Sequence, residues 1–367
     1  MMWIWESEHW PAFRYQTERL LPVLEKVVRA VSPLATLASQ LDEPKRLTLE
    51  SQILLAEALS TAKIEGELLD RESVRSSIAN RLGIGQSTRL SKSSQAFIDV
   101  LLESIRSCQA PLTENALLKW HRMLFTEKPV LYDLVIGDYR DDRMQVVSGR
   151  FGKETVHFQA PCESRSCVQK EMAAFLDDLN RPDGSGHVSL YIKAAIAKFW
   201  FVTIHPFDDG NGRFSRIIAE RLLAQAENTP LRLYSLSSEI DKNKDAYYKL
   251  LETTQKGDLD ITDWIVWFLE QVANAAQKSQ RKLDKIQQAT RFWDRHRETP
   301  LNGRQRKLLV RLLETDDFAD GISRKKYKGL AHTTDITATR DLKDLTAKGI
   351  LVPSGSGRAT KYHLRLP

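Results

Sequence analysis

Apolar residues recur at a spacing of three and four along most of this chain, which predicts helices in preference to sheet. The pattern marks Tyr15–Leu37, Thr48–Gly66, Arg71–Gly83, Ser91–Cys108, Thr113–Phe125, Ser166–Leu179, His187–Ile204, Ile217–Ala226, Ile240–Glu252 and Leu259–Phe268. In the second of these, Leu49, Ile53, Leu55, Ala56, Leu59 and Ala62 form the apolar face. Thr48 stands as its N-cap and Gly66 as its stop. Glu65 then falls at the negative end of the helix dipole, an unfavourable place unless a cation lies opposite. Leu190–Ile204 is apolar nearly throughout and reads as a buried helix. It contains Lys193 and Lys198 and is too short to span a bilayer. Trp264, Trp267 and Phe268 read as core. The early cluster Trp3, Trp5, Trp10 and Phe13 reads as packing against the rest of the fold in preference to a docking surface. His121 reads as a packing or capping residue, since no second histidine lies one turn away to share a metal.

Two regions break the helical period. Residues 144–159 contain two short β-rich runs around Ser148-Gly149 to Gly152, a hairpin signal. After a charged helix from Lys278 to Arg297, closed by Pro300, a separate small unit follows. It has helices over Arg304–Leu313, Ile322–Leu330 and Asp335–Lys348, then β-runs at Ile350–Val352 and Thr360–Leu366 joined by Ser354-Gly355-Ser356-Gly357. This resembles a winged helix-turn-helix, and its basic residues outnumber its acidic ones by two to one. Thr333, Thr334, Thr337, Thr339 and Arg340 would sit at or on its recognition helix. Asp335, Asp341 and Asp344 interrupt that helix, and winged helices also dock proteins, so DNA and a protein partner both stay open. The fold class is therefore mainly α. Its expected segments are an N-terminal helical region (1–90), a helical core with a hairpin (91–274), a helical linker (275–300) and a winged-helix domain (301–367).

Composition adds limits. At 367 residues the chain holds two or three domains, and its net charge of +6 hints at an acidic partner without establishing one. Cys108, Cys162 and Cys167 have no metal-ligand spacing and read as free thiols of a reducing compartment. The first residues lack a basic n-region and a long apolar run, so no signal peptide is expected. The protein is expected to be cytoplasmic, with no membrane association.

The densest chemistry lies in Thr203-Ile204-His205-Pro206-Phe207-Asp208-Asp209-Gly210-Asn211-Gly212-Arg213-Phe214-Ser215-Arg216. Pro206 disfavours helix at His205, so the preceding helix stops there. Gly210-Asn211-Gly212 supplies a tight turn, and a second helix starts near Gly212. Its free N–H groups and dipole make an anion site suited to phosphate. Arg213 and Arg216 share one face there and oppose the dipole, a conflict that a bound polyphosphate would resolve. Asp208 or Asp209 suits Mg²⁺ beside phosphate oxygens, and His205 is the natural general base for a hydroxyl nucleophile. The competing reading is a structural corner with a capping histidine and surface ion pairs, such as Arg216 with Glu220.

His205-Pro206-Phe207-x-Asp209-Gly210-Asn211-Gly212-Arg213-x-x-Arg216 resembles the complete Fic-family signature, with no position departing from it. The family is mostly made of protein adenylyltransferases, which transfer AMP from ATP to a hydroxyl side chain of a target protein. The resemblance implies a Fic helical-bundle core with a β-hairpin flap. It implies His205 as the base and Asp209 as the Mg²⁺ ligand. Gly210, Asn211 and Gly212 would cradle the phosphates, Arg213 and Arg216 would bind the outer ones, and Phe207 would anchor the loop. Tyr247 and Tyr248 would line the base pocket. Thr61-Ala62-Lys63-Ile64-Glu65-Gly66 is similar to the family's inhibitory pattern, with Glu65 set against Arg216 and Thr61 in the motif, so the helix at 48–66 becomes an inhibitory helix. Gly137-x-Tyr139-Arg140 and the hairpin at 144–159 fit the flap that docks the target segment as an added strand. The N-terminal Trp-x-Trp and Trp-Pro are similar to a small domain that precedes the Fic core in some bacterial members. A second reading keeps a Fic-like core that only senses a nucleotide within a DNA-binding transcriptional regulator. The target, removal of AMP by the same site, and a homodimer stay open.

Overall fold

The computed structural model describes residues 3–84, 92–126, 133–150, 153–181, 189–315, 317–318 and 320–365. The expected helix starts at Ser91 and His187, the hairpin turn at Gly152 and the strand end at Leu366 lie outside them. The chain forms two compact units, Met1–Ser279 and Gln280–Pro367.

The first unit opens with a short 3₁₀ turn, Ile4–Glu6, followed by α1 (Thr17–Ser39), α2 (Glu43–Ile64), α3 (Arg71–Arg81), α4 (Lys92–Arg106) and α5 (Glu114–Leu124). An antiparallel hairpin of β1 (Gln145–Arg150) and β2 (Lys153–Gln159) comes next, with an irregular register between Val146 and Val147. Then follow α6 (Arg165–Asn180), α7 (Leu190–Ile204), α8 (Asn211–Ala226), α9 (Leu236–Lys242) and α10 (Lys244–Gln255). The long α11 (Thr262–Arg295) starts in this unit and ends in the second.

The centre of the first unit is α7. Every residue from Tyr191 to Ile204 is buried, as an all-round apolar helix requires. Helix α8 packs along it, and Trp264 of α11 donates its indole N–H to the Ala195 carbonyl at 2.8 Å. The N-terminal tryptophans pack as expected. Trp10 meets Trp200 edge to face at 6.5 Å, Trp3 meets Phe158 of β2 at 5.6 Å, and Trp5 Nε1 donates to the Gln159 carbonyl at 2.7 Å. Trp264 and Phe268 are fully buried, while Trp267 is half-buried.

Three expectations need correction. Helix α2 begins at Glu43, not Thr48. Asp42 accepts the Lys45 N–H at 2.9 Å and Pro44 occupies the first turn, where its missing donor costs nothing. Thr48 lies inside the helix and its hydroxyl bonds back to the Pro44 carbonyl at 2.8 Å. The helix expected over Ile240–Glu252 is two helices, broken at Asn243, whose amide donates to the Glu239 carbonyl at 3.1 Å and to Gln271 at 3.0 Å. Cys162 and Cys167 are not free thiols but a disulfide, because the turn into α6 brings their Cα atoms to 5.5 Å. Cys108 is free and buried. With two of the three cysteines paired, the expected set of free thiols does not mark a reducing compartment.

The second unit contains α12 (Gly303–Glu314), β3 (Ile322–Ser323), α13 (Arg324–Ala331), α14 (Asp335–Ala347), β4 (Leu351–Ser354) and β5 (Lys361–Leu364). Its antiparallel sheet runs β3-β5-β4. The order of helix, strand, two helices and hairpin fits the winged-helix expectation. Phe292, Leu308, Tyr327, Leu342 and Ile350 form part of its core. Asp341, buried on α14, accepts from Arg304 Nε at 2.8 Å, Tyr327 Oη at 3.0 Å and Asn302 Nδ2 at 3.2 Å. Asp341→Ala strands the Tyr327 hydroxyl and is expected to destabilise this unit by about 2–3 kcal/mol. Amide exchange should then quicken across residues 303–364 and stay unchanged in α7 and α8.

Candidate active site

Helix α7 ends where Pro206 demands it. His205 takes a left-handed backbone (φ 52°, ψ 61°) while its N–H still reaches the Phe201 carbonyl at 3.0 Å. Its Nδ1 lies 3.1 Å from the Val202 carbonyl. A carbonyl only accepts, so Nδ1 carries the proton and Nε2 keeps its lone pair. Burial lowers the pKa of His205 to about 4, which leaves the ring neutral at pH 7. A neutral imidazole with a free nitrogen is a base in its working form.

The loop after His205 is held from three sides. Arg140, fully buried, donates Nε to the His205 carbonyl at 2.7 Å and Nη1 to the Asp142 and Cys162 carbonyls at 2.6 and 2.5 Å. Burial pushes its pKa down to about 10, so it stays charged with carbonyls for partners. Asn211 accepts the Phe207 N–H at 2.9 Å and donates to the Phe207 carbonyl at 2.7 Å, closing the turn from within. His121 stacks on Phe207 at 4.2 Å. Its Nδ1 accepts the Gly137 N–H at 2.9 Å and its Nε2 faces the Asp209 carbonyl at 3.3 Å.

Helix α8 starts at Asn211, with Gly210 as N-cap at φ 86°. At its first turn a carboxylate is already present. A Cβ at Gly212 would lie 2.4 Å from Glu65 Oε1, and Glu65 Oε1 receives Arg216 Nη2 at 2.6 Å. Arg216 is only 2% exposed. Burial alone would raise the Glu65 pKa, but Arg216, then Arg213 and Lys198, outweigh it and hold the carboxyl below its ordinary value. Glu65 is thus the anion that α8 and Arg216 require, and Arg216 is the cation that the end of α2 lacked. Arg213 reaches Glu67 at 3.3 Å and Asp209 at 3.4 Å, with its guanidinium over the Phe125 ring. The buried Nε atoms of Arg213 and Arg216 have no partner among the described residues. The competing pair Arg216–Glu220 does not form; Glu220 binds Arg232 at 2.5 Å.

His205, Glu65, Gly212, Arg216, Tyr247 and Tyr248 line one cavity of about 520 Å³, which His157 and Phe158 of β2 also border. That size suits a nucleotide-sized ligand. Tyr247 is 2% exposed and shares its hydroxyl with buried Lys198 at 3.2 Å; Tyr248 is 42% exposed. Gly210, Asn211, Arg213 and Asp209 do not line the cavity. Gly210 and Asn211 shape the turn, and Arg213 and Asp209 flank it. Thr61 is turned away and donates to Ser237 Oγ at 3.1 Å. Asp209 offers one half-exposed carboxylate next to the α8 N-terminus. That donor fits an ion such as Mg²⁺ carried in with phosphates, not a cage formed beforehand. Among the described residues no group of three or more His, Cys, Asp or Glu is placed to hold a metal.

Four contributors escaped the sequence reading. Glu57, buried on α2, accepts from Ser235 Oγ at 2.7 Å and from the Ser237 N–H at 3.0 Å, which docks α2 on α9. Its signal was present: Glu57, Thr61 and Glu65 are four apart and share one helix face. Glu67, Lys198 and the loop-bracing role of His121 had no such local mark.

Comparisons with known proteins bear on the fold and on the family of the central segment. The model described as "Fic/DOC family" matches residues 111–223, and one described as "Domain of unknown function (DUF4172)" matches residues 3–84. Residues 111–223 therefore form a Fic-family domain. A curated relative, "Protein adenylyltransferase Fic" of Aedes aegypti, is 36% identical over 66 residues, 18% of this chain and 12% of that protein. The match therefore spans a small part of the relative's length. Among solved structures, a Fic family protein from Desulfovibrio desulfuricans G20 aligns at TM-score 0.54 and 18% identity, covering 95% of this chain and 97% of its own. A Fic domain containing signaling protein from Bacteroides thetaiotaomicron VPI-5482 aligns at TM-score 0.54 and 18% identity, covering 71% of this chain and 96% of its own. Both support the fold. No helix among the described residues is long and apolar enough to cross a membrane.

His121 yields a pH prediction. Burial lowers its pKa from 6.5 to about 4, so on acidification the unfolded chain takes the proton first. Its stabilising contribution is intact above pH 6.5 and is lost as pH falls towards 4, at up to about 1.4 kcal/mol per pH unit. His121→Gln keeps both hydrogen-bonding roles without titrating. Its unfolding free energy should fall across that window with a slope shallower by about one proton, measured by denaturant titration.

Proposed function

We propose that this protein is a Mg²⁺-dependent adenylyltransferase that moves AMP from ATP to a hydroxyl side chain of a target protein and is inhibited by its own Glu65. The observation that carries the reading is one cavity holding a neutral histidine base, an arginine at a helix N-terminus, and a carboxylate where phosphate would bind. In the proposed step, His205 Nε2 takes the hydroxyl proton as that oxygen bonds to the α-phosphorus. The bond from the α-phosphorus to the bridging oxygen breaks, and pyrophosphate leaves towards Arg213, Arg216 and the α8 N–H groups. The imidazolium then returns its proton to solvent. Asp209 would hold Mg²⁺ with the phosphates, which offsets charge on the leaving group. Tyr247 and Tyr248 would flank the nucleotide base.

The β1–β2 hairpin is the proposed docking edge for the target. Val146 and Val147 are more than two-fifths exposed, and the hairpin borders the cavity that contains His205. In this reading α2 is the inhibitory helix and residues 91–274 the catalytic core. Glu65 occupies the phosphate site and Glu67 restrains Arg213. Release needs both arginines free to meet phosphate.

His205→Ala is expected to lower transfer by about 10²–10⁴-fold, read by label from α-³²P-ATP on proteins of a lysate. Retained labelling would refute the assigned base. Glu65→Gly is expected to raise the initial rate about tenfold or more, equivalent to about 1.4 kcal/mol of barrier. An unchanged rate would remove the inhibitory role. Glu67→Gln, which breaks a partly exposed pair, should raise it by only a few-fold. Mass spectrometry of a lysate treated with Glu65→Gly protein and ATP identifies the added group and the acceptor.

A further inference from the structure

We infer that the second unit binds double-stranded DNA, with the outer face of α14 in the major groove. The charge of the chain is divided unevenly. Residues 280–367 carry 20 Lys and Arg against 10 Asp and Glu, where the whole chain has 54 against 48. The first 279 residues therefore hold 34 against 38. A chain of modest net charge conceals a basic module of 88 residues and an acidic remainder.

The objection from sequence was the acidic content of α14. The structure answers it residue by residue. Asp341 points into the unit, where Arg304, Tyr327 and Asn302 surround it. Asp344 pairs with Lys348 at 2.5 Å and accepts from Gln305 at 2.7 Å. Asp335, at the first turn, pairs with Lys328 at 2.6 Å and lies 3.7 Å from Arg324. Apart from the paired Asp335, α14 presents outward Ile336, Arg340, Lys343 and Ala347, all exposed and on one stripe at intervals of three and four. Arg340 and Lys343 have no ion pair among the described residues. Ile336, at 83% exposure, is the most exposed isoleucine of the unit. An apolar side chain so placed has no packing role, but it suits contact with a thymine methyl group beside two donors for phosphate or guanine. Exposed Lys325 of α13 and Lys361 of β5 add positive charge on neighbouring elements.

Duplex DNA is favoured over RNA for a geometric reason. The stripe is carried by a helix of 13 residues. Such a helix enters the wide major groove of B-form DNA, whereas the major groove of A-form RNA is too narrow for it. Nor does α14 offer exposed aromatic rings for single-stranded bases to stack on. A protein surface would be expected to carry apolar or aromatic anchors beyond one isoleucine.

The test uses the full chain and a fluorescein-labelled 24-base-pair duplex of mixed sequence, read by anisotropy as a function of salt. The expected result is binding that weakens with salt. Arg340→Gln/Lys343→Gln should lower affinity about tenfold or more and reduce the log–log salt slope by about two. Arg281→Gln/Lys282→Gln removes equal charge from exposed positions of α11 and should change affinity far less. A thermal melt reports whether each variant is folded. If the α14 double variant is not, Ile336→Glu places a negative charge on the same stripe and should give the same loss. Three results would overturn the inference: no duplex binding at 50 mM salt, equal losses from the two double variants, or single-stranded RNA displacing the duplex at lower concentration than unlabelled duplex does.

Discussion

Everything in the first unit follows from two arginines lodged in the first turns of a helix, where the backbone already carries positive partial charge. Arg213 and Arg216 cannot remain there without an anion nearby. The chain supplies one from 151 residues upstream, through the Glu65–Arg216 contact. That contact sets where α2 must end and why α9 and α10 must hold it there. A Cβ at Gly212 would come within 2.4 Å of the carboxylate and displace it. A phosphate chain in the same place would meet the same requirement, so under the proposed function Glu65 and the nucleotide would compete for one electrostatic vacancy.

Around this competition the loop is held rigid. Arg140 grips the His205 carbonyl, Asn211 brackets Phe207, and His121 fills the space beneath. None of these three need touch a substrate. Their effect is to keep an imidazole nitrogen fixed and unprotonated beside the anion pocket, which is what transfer chemistry demands of a base. Arg140, Asn211 and His121 are tolerated in the interior because each has hydrogen-bond partners.

How much of this was legible depended on distance along the chain. The signature from His205 to Arg216 is contiguous, so local rules were enough to place the helix stop, the turn and the arginines. Glu65 was legible as a carboxylate at the wrong end of a dipole. Arg140, His121 and Glu57 were not, because a partner of each is distant in sequence: the His205 carbonyl at 65 residues, the Asp209 carbonyl at 88 and the Ser235 hydroxyl at 178. The start of α2 was missed because Asp42 and Pro44 cap better than Thr48. The Asn243 break was missed because a side-chain amide satisfies what a continuous helix would have satisfied. The paired cysteines were missed because five residues of separation implied nothing until the turn into α6 closed.

Glu57 has a mechanical implication. Its carboxylate fastens the middle of α2 to the start of α9 two turns before Glu65, while Tyr248 and Lys244 hold the carbonyls of Ile64 and Lys63. With the backbone clamped at Glu57 and again at Lys63 and Ile64, the proposed inhibitory group would leave by side-chain rotation, not by a helix swinging out. Such control leaves hydrodynamic radius and scattering profile almost untouched. It would be seen in carboxylate-resolved vibrational spectra and missed by methods that report shape.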